Sequence, residues 1–501
     1  MKLSKLCSEF EYTLLQGEIA VDISDIKYNS KDVSEGDAFV CITGMHYDGH
    51  EYVKEAAANG AAAVLLEKEE YAGGIPADIT VVRTGSSRYA LAMMSAAYFG
   101  YPARKMTIIG ITGTKGKTTT AHMIRSILET DGRKTGMIGT TGIIIGQNEY
   151  PQANTTPESY ELHRMMAEMA KQGCRYVVME VSSQGIKLDR TAGIYFDYGV
   201  FLNISQDHIG PGEHKDFAEY LECKSRLFCQ CRTGIINIDD KYAASITAAA
   251  DCHITAAGEG ENADLHISNP EICKTPDMLG MKFKAEWRPD NTGCHQLAVN
   301  VPGDFSVHNA AAAIAVAVQL NVAWDRIEAA LMDIHVKGRT ELINVPGGVN
   351  AVIDFAHNRA SMENILTSLR RYSDGRLICV FGAGGSRSRD RRYGMGEAAG
   401  ELADLCILTE DNPRNEKVSD INADIITGIM RTNGKYIEVE DRKEAVYRGI
   451  KEAVPGDLVI IMGKGHEEYI ERNGVREYYS EHEAVMEAIE RIKSEKCHKM
   501  Q

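Results

Sequence analysis

Eight consecutive residues, Thr112-Gly113-Thr114-Lys115-Gly116-Lys117-Thr118-Thr119, have the composition of a loop that holds polyphosphate. Gly113 and Gly116 let the backbone fold tightly, so that its N–H groups and a following helix N-terminus face an anion. Lys117 would reach the β- and γ-phosphates, and the Thr118 hydroxyl would hold Mg²⁺. The strict spacing asks for Gly where this chain has Ile111, so the loop is a variant. A Gly-rich turn without ligand is the alternative. Against it stands the coincidence of an apolar strand before the loop, Gly-Lys-Thr within it and a helical pattern after it.

A phosphate loop needs an acid on a neighbouring strand to hold the metal. Glu180, at the end of the apolar run Tyr176–Glu180, is the candidate. It could also be simply where a strand meets water, but Ser182, Ser183 and Gln184 follow it, as in loops that build sites at strand ends. His208, beside Asp207 after another apolar run, reads equally as a metal ligand or a structural histidine.

The elements that position these residues follow from the apolar periodicity. From Lys105 onward, buried strands are expected at Met106–Thr112, Tyr176–Glu180, Tyr198–Ile204 and Ile235–Ile238, with a helix at Thr118–Thr130. A second series has strands at Ala351–Phe355, Leu377–Phe381, Leu405–Leu408 and Leu458–Met462. Strand–helix alternation implies parallel sheets with covered faces. Shorter strands, Ala38–Ile42 and Ala61–Leu66, precede Tyr101-Pro102, where proline ends a helix. The expected domains are 1–103, 104–336 and 337–501. Nearly every strand in the two series ends in a polar or Gly-rich cluster, and open α/β sheets bind ligands at such ends.

The chain has 501 residues and a formal net charge of -16. Nucleic acid as the main partner is disfavoured, because phosphate backbones are held by clustered Lys and Arg. The twelve cysteines are scattered, and Cys229 with Cys231 lacks the second pair of a zinc site. Free thiols fit a reducing cytoplasm. Met1–Phe10 has no apolar signal core, and Ala310–Leu320 is too short to span a bilayer. A cytoplasmic monomer without membrane insertion is expected.

The phosphate loop resembles that of the Mur ligases, ATP-dependent enzymes that build the peptidoglycan stem peptide. Similar motifs run in family order from about Asn29 to about Ser480. The resemblance implies an α/β protein of three domains: an N-terminal one for the UDP end of the substrate, a central P-loop ATPase with a parallel sheet, and a C-terminal Rossmann-like one for an amino acid. It implies the members that add the third residue to UDP-MurNAc-L-Ala-D-Glu, through an acyl phosphate. Gly113 to Thr119, Asn309, Arg339, Asp354 and His357 match nucleotide-binding positions. Ser30, Asn154, Thr155, Thr156, Ser182 and Arg190 match positions for the UDP substrate. Thr118, Glu180 and His208 match Mg²⁺ positions, and Lys224 matches a lysine carried as a carbamate. With Lys117, the residues Glu180, His208 and Lys224 form the implied catalytic set.

Asp411-Asn412-Pro413-Arg414 resembles the family's signature for meso-diaminopimelate, although Asp, Asn and Pro also suit a plain capped turn. Arg414 could clamp a distal carboxylate with two hydrogen bonds, and Arg387, Gly463 and Glu467 match further amino-acid positions. Gln184, Gly210–His214, Ser386, Ser388 and Thr340 depart from common family residues. The departures at Gln184 and Gly210–His214 resemble lysine-adding members, whereas the C-terminal half points to diaminopimelate. An L-lysine-adding enzyme, a Mur-type ligase for another acid and a non-catalytic nucleotide-binding protein are the competing readings.

Overall fold

The computed structural model describes residues 1–499, except 45–46, 153, 211, 276–277 and 291–292. The chain forms two compact units: Met1–His266 with Trp287–Thr292 and Ala311–Ile327, and Ile267–Glu286 with Gly293–Ala310 and Glu328–Gln501.

The first unit holds two sheets. The smaller has the strand order Tyr12–Gln16, Thr80–Thr84, Ala63–Leu66, Ala38–Val40, Ile26–Lys27, with only the first strand antiparallel to its neighbour. The larger has six parallel strands side by side: His253–Gly258, Cys231–Asn237, Phe196–Phe201, Thr107–Thr112, Tyr176–Glu180 and Thr135–Gly139. Antiparallel strands Gly142–Ile145 and Asn148–Tyr150 continue it. The central strand Thr107–Thr112 is buried from Ile108 onward, as its unbroken apolar run requires in a sheet covered on both faces. Its register puts Ile111 opposite Glu180 and Thr112 opposite Phe201, so three strand ends meet at the Gly-rich loop.

Several boundaries differ from the sequence expectation, and two of these differences bear on the site. The helix after the loop spans Lys117–Thr130 and begins one residue early, because Gly116 takes φ +86° and turns the chain directly into it. The expected strand Tyr198–Ile204 is observed as Phe196–Phe201. After Leu202 the backbone leaves the sheet: the Asn203 carbonyl accepts from Thr114 N (2.9 Å) and Ile204 N donates to Asp240 (3.1 Å).

In the second unit the strand order is Glu341–Val345, Val349–Asp354, Leu458–Met462, Leu377–Phe381, Leu405–Leu408, Tyr436–Glu438. All neighbours are parallel except the first pair, a hairpin. Every residue of Leu458–Met462 and Leu377–Phe381 is buried. Among the described residues no helix is long and apolar enough to cross a membrane.

Candidate active site

The phosphate loop is held open by residues remote in sequence. Asn203 grips it twice: its Oδ1 accepts from Lys115 N (2.9 Å) and its Nδ2 donates to the Lys115 carbonyl (3.1 Å). The Thr114 hydroxyl lies 3.0 Å from the Tyr220 hydroxyl and accepts from Ser205 N (3.0 Å). Two lysines converge on one carbonyl. Lys117 Nζ donates to Gly113 O (2.8 Å) and Thr114 O (3.3 Å), and Lys224 Nζ donates to Gly113 O (2.9 Å).

Lys224 is the more unusual of the two. A lysine on a short helix, Phe217–Ser225, would ordinarily extend into water, yet Lys224 is 1% exposed and stacks on the Tyr220 ring at 4.6 Å. Burial first, and then the Lys117 charge, hold its pKa well below the ordinary lysine value. The amine is thereby biased toward its neutral, nucleophilic form.

Glu180 is buried at the end of its strand. Its Oε1 accepts from Thr140 N (2.8 Å), and its Oε2 accepts from the Thr140 hydroxyl (3.1 Å). Space for the carboxylate comes from Gly139, where an added Cβ would lie 2.3 Å from Glu180 Oε1. Both of these donors are neutral, and a buried carboxylate is costly without a counter-charge. An acid in such a setting fits a bound divalent cation. Of its expected companions, Thr118 is buried on the first turn of the helix, and His208 is half-exposed, with Nδ1 3.0 Å from Glu213 Oε1. Among the described residues no three His, Cys, Asp or Glu side chains cluster as a metal site.

Around Glu180 lies a chain of hydroxyls and arginines. Thr140 and Thr155 hydroxyls are 3.0 Å apart, and the Thr156 hydroxyl donates to Glu180 O (2.9 Å). Ser182 caps the next helix by accepting from Gly185 N (3.0 Å). Arg190 donates to Thr156 O (3.1 Å) and to Glu158 (2.8 Å), whose other oxygen pairs with Arg88 at 3.2 Å. The backbone oxygen of exposed Asn154 accepts from Gln152 (2.9 Å). Ser30 stands in the smaller sheet's domain, buried, with its hydroxyl donating to Glu55 (2.7 Å).

Sequence reasoning missed His214, which is fully buried between Ser183 Oγ (2.9 Å) and Glu219 (3.4 Å) and packs on Tyr220. Burial lowers its pKa. Its neighbour Pro211 in the divergent Gly210–His214 segment lies outside the described residues.

The remaining expected nucleotide residues lie in the second unit. Asp354 accepts from Thr340 N and Ala356 N, both at 2.8 Å, and burial raises its pKa despite nearby Arg339. The Arg339 guanidinium lies over the Phe355 ring at 4.7 Å, and His357 Nδ1 is 2.7 Å from Phe355 O. Asn309 is 3% exposed and its Nδ2 has no hydrogen-bond partner, as suits an amide that awaits a polar ligand.

The amino-acid candidates come together at the ends of three strands. Gly385 N donates to Asn412 O (2.9 Å), Asn412 Nδ2 donates to Glu467 (3.0 Å), and Arg414 donates to Gly385 O (2.6 Å). Arg414 takes φ +53°, an unusual backbone for a non-glycine, and its backbone is pinned to Glu471 and Asn473. Asp411 and Gly463 touch, since a Cβ on Gly463 would lie 2.5 Å from Asp411 Oδ2. Arg387 is exposed beside the loop. Lys464, not foreseen, is fully buried and donates to Asn412 Oδ1 (2.9 Å) and Glu467 (2.6 Å).

These features define an α/β enzyme class that uses a nucleoside triphosphate. Three family models match: Mur ligase family, catalytic domain, over residues 22–98; Mur ligase middle domain over 111–317; and Mur ligase, glutamate ligase domain, over 338–465. The UDP-N-acetylmuramoyl-L-alanyl-D-glutamate--2,6-diaminopimelate ligase of Clostridium perfringens (strain 13 / Type A) is 36% identical over 98% of this chain and 100% of its own. The ligase of the same name from Caldanaerobacter subterraneus subsp. tengcongensis is 39% identical over 91% and 92%. A solved structure of a ligase bearing that name, 28% identical, superposes with a TM-score of 0.71, covering 98% of this chain and 99% of the other. A more distant fold match is the Thermotoga maritima MurF ligase crystallised with ADP, at 19% identity and a TM-score of 0.59, over 94% and 97%. The chain belongs to the Mur ligase family.

Proposed function

We propose that this protein is the ATP-dependent ligase that adds meso-diaminopimelate to UDP-MurNAc-L-Ala-D-Glu in peptidoglycan synthesis. The observation that carries the chemistry is the convergence of Lys117 and buried Lys224 on the carbonyl of Gly113, within a loop that Asn203 and Tyr220 hold in shape. The choice of amino acid is supported by the relatives' names and by the joined Asp411–Arg414 and Gly463–Glu467 segments.

The residues then act in sequence. Backbone N–H groups of Gly113–Thr119 cradle the triphosphate, and Lys117 offsets charge on the γ-phosphoryl group as it departs. An oxygen of the D-Glu carboxylate bonds to that phosphorus as the bond to ADP breaks. The amine of diaminopimelate attacks the acyl carbon, loses a proton, and expels inorganic phosphate. Arg190, Ser182 and Thr156 orient the UDP substrate, and Arg414 takes the distal carboxylate of the amino acid.

Thr118, Glu180 and His208, with Lys224 as a carbamate, would hold Mg²⁺, which would supply positive charge to offset the negative charge developing in phosphoryl transfer. Carbamylation joins the neutral Lys224 amine to carbon dioxide with loss of a proton. It converts a buried neutral amine beside Lys117 into an anion that can pair with the Lys117 charge.

The acyl phosphate is tested by isotope transfer. With ¹⁸O in the D-Glu side-chain carboxylate, the released inorganic phosphate carries one labelled oxygen. Unlabelled phosphate, with product formed, would refute the intermediate. L-Lysine remains the second reading, because Gln184 and Gly210–His214 resemble lysine-adding members; preferential use of lysine over diaminopimelate would establish it.

A further inference from the structure

We propose that Arg442 is a positioning residue that sets the spacing of the two loops for the incoming diamino acid; the inference rests on the amino-acid reading above. Arg442 opens the helix Arg442–Glu452. A cation there opposes the helix dipole, so helix formation does not account for it. Its side chain is 0% exposed, as is that of its partner Glu481, and a buried ion pair is no more stabilising than apolar residues of the same volume. Stability alone therefore gives no reason for an arginine at this position.

The geometry supplies one. Nη1 donates to Glu410 O (2.7 Å) and Nη2 donates to Met462 O (2.8 Å). These are the last carbonyls before Asp411 and Gly463, where the two amino-acid loops begin. The strands that lead to them, Leu405–Leu408 and Leu458–Met462, are not neighbours, because Leu377–Phe381 lies between them. The sheet's own hydrogen bonds thus do not link these loop origins directly, and the guanidinium spans them. Nε donates to Glu481 Oε1 (3.0 Å), and Tyr479 fixes the other Glu481 oxygen (2.6 Å). A Cβ on Gly463 would lie 3.7 Å from Nη2 and 2.5 Å from Asp411 Oδ2, so the loops pack tightly at this brace. Only a planar fork with several fixed donors can bridge two carbonyls and a carboxylate; a lysine ammonium is a compact point charge on a flexible stem.

The test measures KM for each of the three substrates in Arg442→Lys, Arg442→Met and the double variant Arg442→Met/Glu481→Leu. Arg442→Lys, which keeps the buried charge, is expected to raise the KM for diaminopimelate at least about tenfold. The KM values for ATP and the UDP-dipeptide are expected to stay within about twofold. The double variant leaves no unpaired buried charge, so its melting midpoint is expected to rise above that of Arg442→Met while the raised KM persists. A rise in all three KM values together would overturn the proposal, as would a double variant that recovers KM along with its midpoint. Wild-type turnover with an amino acid other than diaminopimelate would remove only the substrate reading, and the KM for that acid then decides the role of Arg442.

Discussion

At the scale of single residues, the site depends on atoms that are present and on one that is missing. Lys117→Ala removes the cation that the proposed mechanism sets against the γ-phosphoryl group, and phosphate release is expected to fall roughly 100-fold or more; an unchanged rate would exclude Lys117 from the chemistry. Gly139→Ala places a methyl on the Glu180 carboxylate. Turnover is expected to drop roughly 100-fold in a folded protein, because small misplacements of reacting groups are costly; normal kcat would show that Glu180 can move freely. Glu180 was legible in the sequence because a charge closing an apolar run at a strand end is conspicuous. Gly139 was not, since its contribution is an absent side chain. Arg414→Ala removes the proposed charge-assisted contact to the distal carboxylate and is expected to raise the KM for diaminopimelate roughly 10- to 100-fold, narrowing its advantage over lysine. Identical kinetics in mutant and wild type would remove Arg414 from selection.

At the scale of elements, strands and helices were readable where apolar periodicity was strong. Leu377–Phe381, Leu405–Leu408 and Leu458–Met462 appear with the expected limits, because a fully buried parallel strand leaves an unbroken apolar signature. The strand Phe196–Phe201 ended sooner than its apolar run suggested, because Asn203 is drawn out to bind the phosphate loop. No local pattern encodes that contact, which crosses 88 residues, or the meeting of Thr114 with Tyr220 across 106. Asn203→Ala removes two side-chain hydrogen bonds worth about 1 kcal/mol each, so the KM for ATP is expected to rise by up to roughly thirtyfold. No change in nucleotide affinity would mean that the loop keeps its shape unaided. Buried His163 and His214 were equally silent, since a lone histidine carries no positional signal.

At the scale of the whole molecule, stability carries its own pH signature. His163 on the helix Ser159–Lys171 is fully buried, and burial pushes its pKa down to about 4. The unfolded chain binds this proton near pH 6.5 while the folded chain does not, so folded stability falls as pH drops from about 6.5 to about 4. The loss is on the order of 3 kcal/mol, and urea unfolding of His163→Leu is expected to show a shallower decline across that window. An identical slope would assign the effect to other groups. The three-domain α/β architecture followed from strand–helix alternation and the family's motif order, and the matching family models and solved relative agree with it. The antiparallel strands Met278–Trp287 and Cys294–Val299 carried no motif and went unforeseen. The central claim concerns coupling of ATP to amide formation. Purified protein is mixed with ATP, UDP-MurNAc-L-Ala-D-Glu and meso-diaminopimelate, and ADP is measured against tripeptide product with each component omitted in turn. One ADP per tripeptide, with little released when either acceptor is missing, is the expected result. Steady ADP release that is indifferent to both acceptors, with no tripeptide formed, would contradict the account.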